Sequence, residues 1–190
     1  MMKTRLVFAA GALATLSACA SAPPAAGPSA GPAAPSPPVA SAPAAPTGTI
    51  EFRTSDFAWS TAPGRGSIDG QLVYRAGRQA YTCEDAGVVL TPETAWVQRR
   101  MTILYTNAER AALPAADVRG RTPPERSQDY SAFVKRATCD AAGKFSFTGL
   151  PDGAWYAITV AKPTGGAAGT EMAIMRRVVI RDGRPVRVEL

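Results

Sequence analysis

From residue 50 onwards, apolar and polar residues alternate with a period of two, which is typical of half-buried β-strands. The alternating segments are short, and turn sequences such as Leu150-Pro151-Asp152-Gly153 and Asp182-Gly183 separate them. In chain order the predicted strands cover residues 50–54, 66–74, 87–90, 130–137, 144–148, 155–160, 171–180 and 185–190. Many short strands joined by tight turns predict an all-β sandwich.

One segment departs from this alternation and predicts a short helix. Thr91-Pro92-Glu93 has the composition of a helix start. Threonine can cap the N-terminus of a helix, proline is tolerated at the first helical position, and an acidic residue there interacts favourably with the positive end of the helix dipole. Apolar residues then recur at spacings of four and three: Val97, Met101 and Leu104. We expect a helix over about residues 92–105, followed by a loop over residues 106–129. A connection of this length inside a small domain is often functional.

The first 18 residues have the features of an export signal. Lys3 and Arg5 form a basic start, and the apolar run that follows is about half as long as a membrane-spanning helix requires. The segment Leu16-Ser17-Ala18-Cys19 resembles the bacterial lipobox, in which cleavage falls before the cysteine and the cysteine is acylated. The sequence therefore predicts a lipoprotein anchored through Cys19. The alternative is an ordinary signal peptide with a chance cysteine near its end.

The resemblance to lipoproteins also implies a location. Two or more acyl chains hold a protein stably on a bilayer. Position 20 is alanine, whereas an aspartate there often marks retention at the inner membrane in such lipoproteins. We therefore expect the cell outer membrane, with the periplasmic face favoured over the cell surface.

Between the anchor and the domain, residues 19–49 predict a disordered linker. After Cys19 the segment is almost entirely Ala, Pro, Ser and Gly and contains no charged residue. Such a composition has too little apolar surface to offset the entropy of ordering. We interpret it as a spacer that holds the domain off the bilayer. A proline-rich ligand for a recognition domain is the alternative, although no basic-flanked PxxP motif supports it.

Composition restricts the chemistry. The 190 residues include no histidine, which excludes Ser–His–Asp and Cys–His catalysis and removes the commonest metal ligand. We expect no enzyme activity, no cofactor and no metal. The formal net charge is +6, and it falls to +4 when the signal containing Lys3 and Arg5 is removed. This charge suits an anionic neighbourhood such as lipid headgroups but is too dilute for a nucleic-acid-binding surface.

Several motifs of the predicted sandwich resemble carboxypeptidase regulatory-like domains. They are Gly66-x-Ile68-x-Gly70-x-Leu72, Gly87-Val88-x-Leu90-x-Pro92, Gly143-x-Phe145-x-Phe147-x-x-Leu150-Pro151-x-Gly153-x-x-Tyr156, and the closing segment Val178 to Leu190. The resemblance covers about residues 66–190 and implies a prealbumin-like (transthyretin-like) seven-stranded sandwich that ends in a hairpin. Residues 92–129 are an insertion relative to that family, within a domain that we assign to residues 50–190. The resemblance implies a binding or scaffolding module. The enzymatic branch of the transthyretin-like fold relies on histidines, which this sequence lacks.

Two cysteines remain once Cys19 is lipidated. In an exported protein, Cys83 and Cys139 predict a disulfide, which would close a loop containing the helical insertion. Two free buried thiols are the alternative. A zinc site would need Glu84, Asp85 or Asp140 as further ligands.

Arginines are the main candidates for a binding surface, because the planar guanidinium group can donate two parallel hydrogen bonds to a phosphate or carboxylate group. A face toward an anionic partner would comprise Arg99, Arg100, Arg119, Arg121, Arg126, Arg176 and Arg177. The alternative is a set of solvated outward positions on strands. Exposed aromatic residues could instead stack on sugars or, alternatively, pack in the core: Trp59, Trp96, Tyr105 and Tyr130.

The sequence thus predicts a non-catalytic envelope interaction or scaffolding module that is anchored in the outer membrane. Its partners would be the lipid bilayer and a protein or anionic glycan of the envelope, with no role for nucleic acid. A glycan-binding cell-surface domain that uses residues 92–129 is the alternative, and an uncharacterised hydrolase comes third.

Overall fold

The computed structural model describes residues 50–122, 130–166 and 168–190. The predicted signal peptide, Cys19, the linker to residue 49 and Arg126 lie outside these described residues. The strands are β1 (Gly66–Gln71), β2 (Arg75–Ala76), β3 (Gln79–Thr82), β4 (Gly87–Pro92), β5 (Arg110–Pro114), β6 (Lys135–Thr138), β7 (Lys144–Leu150), β8 (Gly153–Pro163), β9 (Met172–Ile180) and β10 (Pro185–Glu189). The helices are α1 (Ala95–Tyr105), α2 (Ala115–Gly120) and the 3₁₀ segments Thr54–Thr61, Ser131–Phe133 and Thr164–Gly166.

The strands form two sheets. In the smaller sheet, β1 lies between β10, which runs parallel to it, and β7, which runs antiparallel. In the larger sheet, β8 pairs with β4 along one edge and with β9 along the other, and β6 and β5 extend the sheet beyond them. The hairpin of β2 and β3 joins the far end of β8. The predicted all-β sandwich with a small helical insertion is confirmed, although the described residues contain ten strands and not seven.

The larger sheet is covered on both faces. Consecutive residues of a strand point to opposite faces, and Trp155 and Tyr156 of β8 are both fully buried. Trp155 belongs to the core between the two sheets. Tyr156 belongs to a second core, formed with α1, α2 and the 3₁₀ segment that contains Phe57. The described domain therefore has three layers: the small sheet, the large sheet and the helices.

The start of the predicted helix is wrong by one turn. Thr91 and Pro92 complete β4, where they pair with Tyr156 and Trp155 of β8. The helix begins after Thr94, whose side-chain oxygen accepts a hydrogen bond from the backbone N–H of Val97 at 3.1 Å. The predicted apolar stripe is confirmed, because its three residues are buried in the second core.

Three further predictions need correction. The predicted strand over residues 130–137 is shorter, because Ser131–Phe133 form a 3₁₀ segment and β6 begins only at Lys135. The segment 50–54 is not a strand, since the chain enters a 3₁₀ segment at Thr54 that buries Phe57 completely. Residues 106–129 are not one loop: β5 and α2 occupy much of the described part, and β5 pairs with β9 over five residue pairs. Short strands without alternation of apolar and polar residues, such as β5, acquire their structure from the neighbouring strand and not from a pattern of their own.

The turn between β9 and β10 has the conformation that its sequence predicts, but the strand that follows it does not have the predicted pairing partner. Asp182 and Gly183 both have positive φ, 58° and 62°, and the N–H of Arg184 donates to the carbonyl of Arg181 at 3.1 Å, as in a type I′ turn. However, β10 does not fold back on β9. It crosses to the small sheet and pairs in parallel with β1, so the final hairpin implied by the family resemblance is absent.

Candidate functional site

The outer face of the small sheet carries a series of exposed polar side chains. On β1, β7 and β10 the inward positions fill the core between the sheets, and the alternate positions point to solvent. We call six of these outward residues, which lie opposite one another on the three strands, the polar grid: Asp69, Gln71, Lys144, Ser146, Arg187 and Glu189. The sequence had shown the alternation of these strands, but sequence reasoning did not single out their polar positions as a site.

The strand register places the polar grid in two rows of three. In the first row, Asp69 lies between Arg187 on β10 and Ser146 on β7. In the second row, Gln71 lies between Glu189 and Lys144. Each row therefore combines hydrogen-bond donors with acceptors, and the grid as a whole carries two positive and two negative side chains.

Hydrogen bonds within the sheet orient part of this grid. The hydroxyl of Ser146 donates to Oδ1 of Asp69 at 2.9 Å, and Nε2 of Gln71 donates to the carbonyl of Ala142 at 3.3 Å. Asp140, at the border of the grid, is engaged by its own turn, because its Oδ1 accepts the N–H groups of Ala142 and Lys144. Most donor and acceptor positions of the grid thus remain open to a ligand.

A groove of about 910 Å³ runs over the polar grid. Besides the six grid residues, Thr138, Asp140, Gly70, Phe145 and Val188 line it. Gly70 is required here, because a Cβ at this position would lie 2.0 Å from the ring of Phe145. The volume falls within the range of about 300–1,000 Å³ that is usual for ligand-binding sites.

The structure separates the predicted arginine face. Arg176 and Arg177 are consecutive in β9 and therefore leave the large sheet on opposite faces. Arg121 donates to the carbonyl of Leu104 at 3.1 Å, near the end of α1, and Arg119 on α2 lies 4.0 Å from Glu171. These positions do not form one continuous face. Arg126 lies outside the described residues, and an anionic partner for the remaining arginines stays a prediction.

Helix α1 carries two of the predicted arginines. Arg99 is exposed, whereas the guanidinium of Arg100 lies over the ring of Trp96, 5.6 Å from its centroid. This cation–π contact occupies one face of the indole.

Arg177 connects two carboxylates of the helical layer. Its Nε binds Oε2 of Glu93 at 2.5 Å, and its NH1 lies 3.8 Å from Glu109. The hydrogen bond to Glu93 raises the pKa of Arg177 further above its ordinary value. Glu93 and Glu109 therefore act as partners of one arginine, and this arrangement ties both ends of the α1 segment to β9.

Tyr156 lies beside this ion pair in the second core. Burial, followed by the charge of Glu93, raises the pKa of Tyr156 to about 12. Its side chain is fully buried, and its hydroxyl has no hydrogen-bond partner among the described residues. A buried hydroxyl without a hydrogen-bond partner costs stability.

The four aromatic candidates for sugar stacking have different environments. Tyr105 is buried in the second core, and Trp59 packs edge-on against Trp155 at 5.0 Å. Trp96 and Tyr130 are half-buried and meet at 5.4 Å with an interplanar angle of 67°. These two rings form a partly exposed aromatic edge and not a flat platform.

The predicted disulfide is confirmed. Cys83 and Cys139 are bonded, with their Cα atoms 5.7 Å apart, and both are buried. The bond joins the end of β3 to the end of β6 and encloses β4, α1, β5 and α2. Within the described ranges, no group of three or more Cys, Asp or Glu residues is placed to hold a metal ion. Among the same residues, no helix is both long and apolar enough to cross a membrane.

Comparisons with known proteins support the fold. No protein-family model matches the chain, and no curated protein matches it. The chain is similar to a solved structure from Pseudomonas aeruginosa for which carbohydrate binding has been proposed, with 22% identity, a TM-score of 0.54 and coverage of 74% of this chain and 97% of the other. A pilus 2b backbone protein of group B streptococcus also matches, with 14% identity and a TM-score of 0.34, over 67% of this chain and 40% of that one. The resemblance to carboxypeptidase regulatory-like domains is not confirmed by these comparisons.

Proposed function

We propose that this domain is a non-catalytic carbohydrate-binding module of the cell envelope and that the polar grid is its binding face. The observation that carries the proposal is the groove above the small sheet. It is open and is lined by donors and acceptors in alternation across three strands.

The chemistry of the polar grid fits a sugar better than a polyanion. Sugar hydroxyls donate and accept hydrogen bonds at short intervals, and the grid offers carboxylates, an amide, a hydroxyl, an ammonium and a guanidinium at similar intervals. Its two positive and two negative side chains cancel, so no net field favours phosphate-rich ligands. A neutral oligosaccharide is therefore the ligand class that we propose.

The fold comparison supports this proposal. The Pseudomonas aeruginosa protein shares the architecture over nearly its entire length, and carbohydrate binding has been proposed for it. Because folds host many functions, this likeness adds to the argument only in combination with the polar grid.

The sequence-predicted anchor would give the module a place to act. Lipidation of Cys19 would hold it at the outer membrane, and the linker to residue 49 would let the domain reach envelope glycans away from the bilayer. In this proposal the domain is an interaction module whose partner is a glycan, which joins the two functional expectations from the sequence.

A second candidate site is the aromatic edge formed by Trp96 and Tyr130 on the helical side. Half-buried aromatic rings can stack on sugars, and this edge lies in the region where the sequence predicted glycan binding. Its indole is already engaged by Arg100, so we place it second.

A binding panel tests the proposal and separates the two sites. The full chain with Cys19→Ser, which lacks the predicted lipid, is screened against neutral and anionic oligosaccharides. Asp69→Ala and Arg187→Ala should each weaken binding of the selected neutral sugar by about tenfold or more, as expected for losing a hydrogen bond to a charged group. Arg99→Ala, an exposed change on the helical side, is the matched control and should bind like the parent.

The same panel can contradict the proposal. If Trp96→Ala abolishes binding while the two grid variants retain it, the aromatic edge is the site. If only anionic ligands bind, the neutral-sugar assignment is wrong.

A further inference from the structure

A second and smaller cleft lies apart from the groove over the polar grid. It has a volume of about 290 Å³. The apolar residues that line it include Ala112, Ile174 and Leu190, and Tyr74 also lines it. All four pack with the core between the sheets, so this cleft is an opening into the edge of that core.

Two arginines lie side by side at this cleft. Arg110 of β5 and Arg176 of β9 are direct partners in the antiparallel ladder. Directly opposed residues project from the same face of a sheet, with Cβ atoms about 4.5–5.5 Å apart. Both guanidinium groups are permanently charged, and like charges in this position destabilise the strand pair.

In the described part of the chain, no carboxylate forms an ion pair with either of these two arginines. No carboxylate there, Glu189 at the border of the cleft included, lies within 4.0 Å of either guanidinium, and neither guanidinium donates a hydrogen bond. The contrast with Arg177, one residue further along β9, is direct. Arg177 points to the opposite face of the sheet and has two carboxylate partners.

We infer that this cleft binds a small anionic amphiphile. Its oxyanion, a phosphate monoester or a carboxylate, is held between Arg110 and Arg176, since paired guanidinium forks match the geometry of such groups. Its apolar part lies against Ala112, Ile174 and Leu190. The bound oxyanion removes the repulsion between the two arginines, so occupation also stabilises the pairing of β5 with β9.

The size of the cleft restricts the ligand. About 290 Å³ is at the lower end of the range for small-molecule sites. It accommodates one short apolar group and not a polymer. The cleft shares only Glu189 with the groove over the polar grid, so ligand binding at either site can fail without affecting the conclusion about the other.

Calorimetry with octyl phosphate tests the inference. The full chain with Cys19→Ser should bind octyl phosphate more tightly than inorganic phosphate, which lacks the apolar part, and more tightly than octyl glucoside, which lacks the charge. Arg110→Gln and Arg176→Gln should each weaken binding of octyl phosphate by about tenfold or more. Arg184→Gln, the same change at an exposed arginine that lines neither this cleft nor the groove over the polar grid, is the matched control and should leave it unaltered.

Filling the cleft gives an independent measurement. Ala112→Leu should weaken binding of octyl phosphate and leave inorganic phosphate unaffected, because it removes apolar space and keeps both arginines. Thermal unfolding of each variant verifies that it is folded before binding is compared.

A vesicle measurement identifies the source of the oxyanion. Binding to vesicles that contain phosphatidic acid, a phosphate monoester, but not to phosphatidylcholine vesicles, that is lost in both glutamine variants assigns it to a membrane lipid. Binding of octyl phosphate without such vesicle binding assigns it to a soluble ligand. If octyl phosphate binds no better than octyl glucoside, or if both glutamine variants bind it like the parent, the inference is overturned.

Discussion

At the scale of single residues, Tyr156 shows how a buried polar atom couples stability to pH. Its hydroxyl is unpartnered, and its pKa is raised from 10.0 to about 12 by burial first and by Glu93 second. The folded state holds this proton more tightly than the unfolded state. The free energy of unfolding is therefore at its full value below pH 10 and falls as the pH rises from 10 towards 12.

We therefore predict that Tyr156→Phe raises the free energy of unfolding at neutral pH by about 1 kcal/mol, since it removes a desolvated hydroxyl without removing the ring. The variant should also lose less stability than the parent between pH 10 and pH 12. The variant should still lose some stability over this pH range, because burial also raises the pKa of Tyr105 to about 12. Urea unfolding at a series of pH values measures both effects, and a lower stability for Tyr156→Phe at pH 7 would contradict the account.

Gly153 is a second position at which the stability of the domain depends on one residue. Its φ is 147°, and a Cβ there would lie 2.3 Å from the ring of Trp59. Gly153→Ala should therefore destabilise the domain by more than about 1 kcal/mol, from backbone strain and displacement of the indole. Gly87→Ala is the matched control, because a Cβ at Gly87 meets nothing within 4 Å and the position has no positive φ. Equal melting temperatures for the two variants would refute the role of Gly153.

At the scale of elements, the disulfide has the largest predicted effect. It closes a segment that contains two helices and several strands of the large sheet. Cys83→Ser combined with Cys139→Ser should lower the free energy of unfolding by about 2–5 kcal/mol. Reduction of the parent protein should lower it by a similar amount. Unfolding of the oxidised parent, the reduced parent and the double variant is the measurement, and a loss below 1 kcal/mol in both cases would show that packing alone holds the segment.

Elements also show what the sequence could and could not predict. Most strands were predictable, because alternation is a local property. The start of α1 was not, because Thr91 and Thr94 can both act as helix caps and only the pairing of β4 with β8 decides between them. In the same way, the turn at Asp182 and Gly183 was predictable from its residues. The partner of β10 was not, since the alternation of a strand does not specify its neighbour.

The same limit applies to the candidate site. Each residue of the polar grid occupies an outward position that the alternation of its strand predicts. Their arrangement in rows depends on the parallel pairing of β1 with β10, which brings together residues that are distant in sequence. The pair of Arg110 and Arg176 depends on β5, a strand that the sequence did not predict.

At the scale of the whole molecule, the layers explain why the small sheet carries the proposed site. The large sheet is covered by the small sheet on one face and by the helical layer on the other. Among the described elements, the outer face of β10, β1 and β7 is the sheet face without such a cover. A binding surface there can change its side chains without disturbing either core.

The membrane location of the module is predicted from the sequence alone, and a separate experiment tests it. Cys19→Ala should abolish incorporation of a fatty-acid analogue and release the protein from the membrane fraction, because the acyl chains are its predicted attachment. Metabolic labelling followed by fractionation measures this outcome. Undiminished labelling of the variant would contradict the assignment of Cys19 as the lipidated residue.

The central claim is that the polar grid binds neutral sugars, and amide chemical-shift mapping tests it most directly. The isotope-labelled full chain with Cys19→Ser is titrated with soluble neutral oligosaccharides, such as oligomers of N-acetylglucosamine. The account predicts shift changes confined to β1, β7 and β10 around Asp69, Gln71 and Arg187, and their loss in Asp69→Ala. Changes confined to the region of Trp96 and Tyr130, or no changes with any neutral sugar, would contradict it.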